Sequence, residues 1–245
     1  MEIWQELIKL DSVNSTNEYT SNILKQKKLP EGSIIFSSNQ TQGKGLASNT
    51  WESENGKNIL LSLVLYPDFL EVKDQFLLSK AVSLGIYSYC YTKTDDIKIK
   101  WPNDIYYQNK KLAGILIENS IKGSNIERSI IGVGLNLNQE VFLSDAPNPI
   151  SLKQIANFTF NIEQEILILR DHIKDYYQKL KEDRSSLNKL YLKRMFRYNE
   201  FNSYKVSDKT AELKITGVNE FGHLQTISLD GEISEFDLKE IEFLL

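Results

Sequence analysis

The residues best equipped for chemistry crowd into positions 97–118, I-K-I-K-W-P-N-D-I-Y-Y-Q-N-K-K-L-A-G-I-L-I-E. Lys100, Asn103, Asp104 and Lys111 supply two ammonium groups, an amide and a carboxylate. That set suits a phosphate-bearing ligand and its metal ion. For the four to be neighbours, the chain must reverse twice. Ile97, Ile99 and Trp101 alternate with Lys98 and Lys100, a period of two that predicts a strand with an apolar and a cationic face. Pro102 has no N–H to give a ladder, so the strand should stop there. Asn103 and Asp104 are turn formers. A second strand is expected from Ile105, a tight reversal at Asn109-Lys110, and a third strand over 111–118. Gly114 inside it marks a close approach of a ligand or another backbone.

Three other stretches carry candidate binding groups. Gln40 leads into a loop containing Gly43-Lys44-Gly45 and ending at Trp51. A lone G-x-G is a weak phosphate signal, and no apolar helix follows it, which argues against a dinucleotide fold. Ser15, Thr16 and Asn17 are helix N-cap types, ahead of Tyr19, Ile23 and Leu24 at helical spacing. In 129–138, Gly132, Gly134, Asn136 and Asn138 share one face of an expected strand. Two glycines leave that face bare, so either something flat approaches the backbone or a helix packs tightly there, and Asn136 adds an amide at its end.

The elements around these stretches follow from periodicity. Strands are expected at 33–38 and 58–66, and a helix at 74–92 with Phe76, Leu77, Ala81, Leu84 and Tyr87 on one stripe. Ala146–Pro149 reads as a loop, Ser151 as the cap of a short helix, and Asn161 as the cap of a long one over 162–182. Another helix is expected near 186–197. His172 reads as an ordinary helix residue. Beyond Asn199 short alternating runs at 203–206, 211–218, 222–229 and 232–236 predict a small β domain, with Asp230-Gly231 as a hairpin turn. The expected division is 1–198 and 199–245.

K-W-P-N-D-I followed by K-L-A-G-I-L-I-E resembles the central motif of the biotin–protein ligases. The likeness runs from about residue 10 to the end. It implies an α+β fold of the class II synthetase-like, biotin/lipoate-ligase type: a mixed sheet flanked by helices, with a small SH3-like β-barrel at the C-terminus. It implies two steps, activation of biotin by ATP to biotinyl-5′-AMP and pyrophosphate, then transfer to a lysine of a biotin carboxyl carrier protein or a carboxylase's carrier domain. In that family the lysine opening K-L-A-G-I-L, here Lys111, is the central catalytic residue. The loop with Gln40, Gly43, Lys44, Gly45 and Trp51 keeps the register of the loop that folds over the acyl-adenylate. Lys44 would then meet phosphate and Trp51 the adenine. S-T-N, here Ser15, Thr16 and Asn17, would contact the vitamin's ring together with Gln40. Lys100, Asn103 and Gly114 would line the substrate site. Asp104 would orient the acceptor amine or a Mg²⁺ ion, and Asn136 would bind nucleotide or that metal. The chain departs from the family at Leu46, where a second basic residue is usual, and at Ser48, where glycine is frequent.

Composition bounds the partners. Lys and Arg number 29 against 33 Asp and Glu, a formal net charge of −4, which demands no nucleic acid. Some ten residues precede the stretch that resembles the catalytic domain, too few for a helix-turn-helix, so a monofunctional biotin–[acetyl-CoA carboxylase] ligase without DNA binding is expected, as monomer or homodimer. No apolar run approaches the roughly 18 residues of a membrane span. A single cysteine, Cys90, rules out an intrachain disulfide, reads as a buried filler, and suits the cytoplasm. A lipoate–protein ligase and a non-catalytic biotin sensor are the rival readings.

Overall fold

Ile59–Leu65 (β3) is buried at every position, as a strand covered on both faces must be. In the computed structural model, which describes residues 4, 6–143 and 148–245, β3 lies inside a seven-stranded mixed sheet. The other strands are Leu7–Val13 (β1), Ile34–Gln40 (β2), Ile97–Lys100 (β4), Asp104–Tyr107 (β5), Lys110–Lys122 (β6) and Asn125–Leu135 (β7), in the order β1-β2-β3-β7-β6-β5-β4. β1 and β2 pair in parallel, and the remaining neighbours are antiparallel. Ala146 and Pro147 of the expected loop lie outside the described residues.

Alternation sorts the side chains into two cores. Ile34, Phe36, Leu61 and Leu63 face a large core shared with the helices Gln75–Tyr91 (α2) and Ile162–Glu182 (α4). Ile35 and Val64 face a smaller one with Leu24 of Thr16–Leu24 (α1) and Leu29. Leu152–Ala156 (α3) starts at Ser151 with a reciprocal capping box. α4 starts at Asn161, whose side chain accepts the Gln164 N–H at 3.1 Å. Arg184–Arg194 (α5) begins two residues before the expected helix, because Asp183 caps it by accepting from the Ser186 N–H. The N-terminal segment is a strand as far as Val13, held by its parallel pairing to β2. Cys90 is fully buried in α2. Among the described residues no helix is long and apolar enough to cross a membrane.

The C-terminal strands form a separate five-stranded antiparallel sheet: Phe201–Val206 (β8), Lys209–Val218 (β9), Leu224–Ser228 (β10), Ile233–Phe236 (β11) and Ile241–Phe243 (β12), in the order β11-β10-β9-β8-β12. β12 falls outside the predicted runs; at three residues it is too short to show a period. Two buried contacts fasten this sheet to the rest of the chain, one beside β4 and one from α2. The Trp101 indole N–H donates to the Gly222 carbonyl at 2.8 Å, and the Lys80 ammonium of α2 reaches the Val218 carbonyl at 3.4 Å and Asn188 Oδ1 at 2.6 Å.

Lys80 is only 3% exposed and no carboxylate pairs with it among the described residues, so burial pushes its pKa down to about 8. Its charge therefore costs stability. Between pH ~8 and ~10.5 the unfolded chain holds more protons than the folded one, so this contribution to stability rises with pH across that window; below it the penalty is complete. Lys80→Met should raise stability at pH 7 by roughly 1–3 kcal/mol, with the gain shrinking toward pH 10. Denaturant midpoints at the two pH values measure this, and a gain independent of pH would assign it to packing instead.

Candidate active site

The β4–β5 hairpin and β6 place the reactive stretch at one end of the sheet. Lys100 pairs across the turn with Asp104, Asp104 with Gly114 of β6, and Gly114 with Gly134 of β7. Lys111 reaches along this row to put its Nζ 2.8 Å from Asp104 Oδ1. Its backbone is clamped on both sides: its N–H donates to the Asn148 carbonyl at 2.8 Å, and its carbonyl accepts from the Ile150 N–H at 3.0 Å. The Asn136 amide also donates to the carbonyls of Lys111 and Ile150, at 3.4 and 3.2 Å. β7 ends at Leu135, so Asn136 lies past the strand, outside the cavity lining, where it braces Lys111 from behind. Asn103 lines the cavity, and its amide donates to the Ile115 carbonyl at 2.8 Å, locking the hairpin turn onto β6.

The bare glycine face is filled by the chain itself. A Cβ at Gly134 would stand 2.4 Å from the Trp51 ring, one at Gly114 2.9 Å, and one at Gly132 2.7 Å from Asn17 Oδ1. The flat group against the backbone is thus the Trp51 indole. The Lys111 ammonium stands 5.6 Å above that ring. Asn17 accepts from Ser62 Oγ at 2.6 Å and donates to Glu118 at 2.8 Å and the Leu116 carbonyl at 3.3 Å. Its amide is occupied, so it places the start of α1 on the sheet, with Glu118 as a brace that sequence reasoning missed.

Its neighbours stay open. Ser15 heads α1 in extended conformation with no side-chain cap, and the Gln40 carbonyl oxygen takes that role. It accepts from the Thr16 N–H at 2.7 Å and the Thr16 hydroxyl at 3.0 Å. The Ser15 hydroxyl and the Gln40 NH₂ have no protein partner among the described residues. These groups end one side of a cavity of about 610 Å³ that also takes in Lys44, Lys100, Asp104 and Lys111. Lys44 is half-exposed and 3.3 Å from Glu18 of α1. Gly45 and Leu46 line the cavity, whereas Gly43 packs behind it under the Trp51 carbonyl. Among the described residues no group of three or more His, Cys, Asp or Glu side chains could cage a metal.

Residues 10–136 match the model of the biotin/lipoate A/B protein ligase family. The chain belongs to that family. It is 38% identical over 157 residues to the bifunctional ligase/repressor BirA of Bacillus subtilis (strain 168), a match covering 62% of this chain and 45% of that protein. It is 26% identical over 219 residues to the biotin–protein ligase of Homo sapiens, covering 82% of this chain and 29% of that protein. The chain thus spans less than half the length of these relatives. Its fold superposes on the biotin protein ligase from Aquifex aeolicus in complex with biotin and ATP with a TM-score of 0.79 at 25% identity, covering 97% of this chain and 98% of that one.

One part of this family member's cavity had no signal in the sequence. Leu238, Lys239, Ile241, Glu242, Phe243 and Leu245 line it from the C-terminal sheet. The Lys100 ammonium donates to the Tyr106 hydroxyl at 3.1 Å and lies 5.0 Å from the Phe243 ring centroid. Burial holds its pKa below the ordinary lysine value, with Lys111 and Arg197 acting in the same direction and Asp104 and Glu242 against it.

Seating Trp51 requires the missing Cβ at Gly134. Gly134→Ala should expel the indole, red-shifting the tryptophan emission while far-UV circular dichroism stays constant. Comparison with Trp51→Phe isolates the signal of that ring. An unshifted spectrum would mean that the sheet yields and the seat is not needed.

Proposed function

We propose that the chain is a biotin–protein ligase that activates biotin with ATP and passes it to a lysine of a biotin carboxyl carrier protein or carrier domain, in the cytoplasm. The observation that carries this reading is the Lys111–Asp104 pair in one cavity with the Ser15, Thr16 and Gln40 groups. A ureido ring offers two N–H donors and a carbonyl acceptor, and the hydroxyls and the Gln40 NH₂ match both kinds. The dithiolane of lipoate has no such groups and would leave them unpaired, which disfavours the rival ligase. We take residues 1–198 as the catalytic unit and 199–245 as a smaller unit that completes the cavity.

A biotin carboxylate oxygen attacks the α-phosphorus, and the bond from that phosphorus to the pyrophosphate oxygen breaks. Both reactants are anions, so the charge building on the phosphoryl oxygens needs fixed cations. Lys111 is placed for this, with Lys100 on the adjoining wall and Lys44 able to exchange Glu18 for phosphate. Holding the two reactants in register supplies much of the remaining acceleration. In the second step the carrier amine attacks the acyl carbonyl of the mixed anhydride, AMP leaves, and Asp104 is the carboxylate in place to orient the amine. If Mg²⁺ takes part, Asp104 would be the protein carboxylate to hold it, and the ion would offset the negative charge of the phosphates.

The purified chain should release pyrophosphate with ATP and biotin, and excess lipoate should not compete. Lys111→Ala should lower that rate about 10²–10³-fold with an unchanged thermal midpoint. A variant within threefold of wild type would remove Lys111 from the mechanism.

Leu46 bears on retention of the adenylate. It lines the cavity but is only partly buried, so replacing it forfeits a fraction of the roughly 1.5–3 kcal/mol of a fully buried leucine. A cation there would gain a charge-assisted hydrogen bond of about 1.5–3 kcal/mol. Leu46→Arg should therefore slow adenylate release by about tenfold. Faster release would identify Leu46 as the loop's own apolar latch.

A further inference from the structure

Lys100 draws its surroundings from both sheets. Its Nζ lies 4.7 Å from the Tyr106 ring centroid on β5 and 5.0 Å from that of Phe243 on β12. Phe243 is itself held, edge-on against Tyr204 at 5.1 Å and tilted against Phe196 at 6.3 Å, and Phe196 in turn packs on Tyr106 at 5.7 Å. Among the described residues no carboxylate lies within ion-pair distance of Lys100. Asp104, the carboxylate paired with it across the strands, is taken by Lys111. Burial pushes the Tyr106 phenol above its ordinary pKa, so it stays a neutral oxygen that accepts one ammonium proton.

The consequence is electrostatic. A lysine neutralised by a carboxylate has little charge left for a substrate. One held by aromatic faces and a phenol oxygen is fixed in place yet keeps its full charge and two further N–H donors. We propose that Phe243, in the last strand, is a positioning residue that acts through Lys100, holding its ammonium out of any ion pair at the cavity wall for the anionic substrates of adenylate formation. This rests on the ligase reading. It gives the C-terminal sheet a part in the first chemical step that goes beyond covering the cavity.

The test is a double-mutant cycle read by pyrophosphate release from ATP and biotin, using the full chain. Phe243→Leu, which keeps apolar bulk but lacks a π face, should lower the rate about tenfold, and Phe243→Tyr should stay within about twofold. In a Lys100→Met background Phe243→Leu should cost nothing more. Replacing Phe243 by phenylalanines of increasing ring fluorination keeps the shape while draining the π face, so the rate should fall stepwise even if Phe243→Leu does not fold. Additive losses, or a rate indifferent to fluorination, would overturn the role of Phe243. Wild-type chain that releases no pyrophosphate would instead overturn the ligase reading on which it rests.

Discussion

Three missing Cβ atoms shape the site. Gly114, Gly132 and Gly134 share one face of β6 and β7, and side chains there would collide with Trp51 or Asn17. Their absence lets α1 and the 43–51 loop lie directly on the sheet backbone. Asn17 then ties α1 to three strands at once, through Ser62 of β3, the Gly132 position of β7, and Leu116 and Glu118 of β6. Trp51 brings the end of its loop down beside Lys111. The cavity-lining groups of α1 and of the 43–51 loop hang from these two contacts. The glycines cost some strand stability, and the packed indole and amide offset it.

On this floor the charges are unequal by design of position. Lys44, Lys100, Lys111 and Lys239 line the cavity against the carboxylates of Asp104 and Glu242, so its side chains carry an excess of positive charge although the whole chain is acidic. Three of these lysines are held differently: Lys111 by an ion pair, Lys44 by a half-exposed carboxylate, and Lys100 by rings and a phenol. An anion entering such a cavity meets cations whose positions are already fixed, so little reorganisation is required when charge develops.

The parts legible in the sequence were those set by local rules. The alternation of Ile97, Ile99 and Trp101, the stop at Pro102, and the caps at Ser151 and Asn161 each depend on neighbouring residues, and each appears where expected. The four reactive residues of 97–118 could be grouped because one hairpin and one strand carry them. The bonds that hold Asn136 and Asn103 had no local signal, since an amide at a strand end can face a ligand or a carbonyl, and the carbonyls of Ile150 and Ile115 that engage them are set by tertiary packing. The glycine face was recognised as bare, but nothing local identified its occupants, which lie on distant segments. The same limit hid β12: residues 241–243 come beside Lys100 only through the closure of a second sheet.

That closure is fastened from the active-site strand outward. Trp101, next to Lys100, gives its indole proton to Gly222, and the turn bearing Gly222 packs against Phe76 of α2, where Lys80 holds Val218. Phe243 meets Lys100 from the opposite end of the same sheet. The C-terminal sheet therefore grips both sides of a single short strand. A shift of that sheet by even an ångström would pull on Trp101 and Lys100 together, because packed interfaces move as units and do not deform smoothly. The cavity lies on this seam, whereas the Lys111–Asp104 pair is held from the side of the first sheet, where Asn136 and Ile150 clamp the Lys111 backbone.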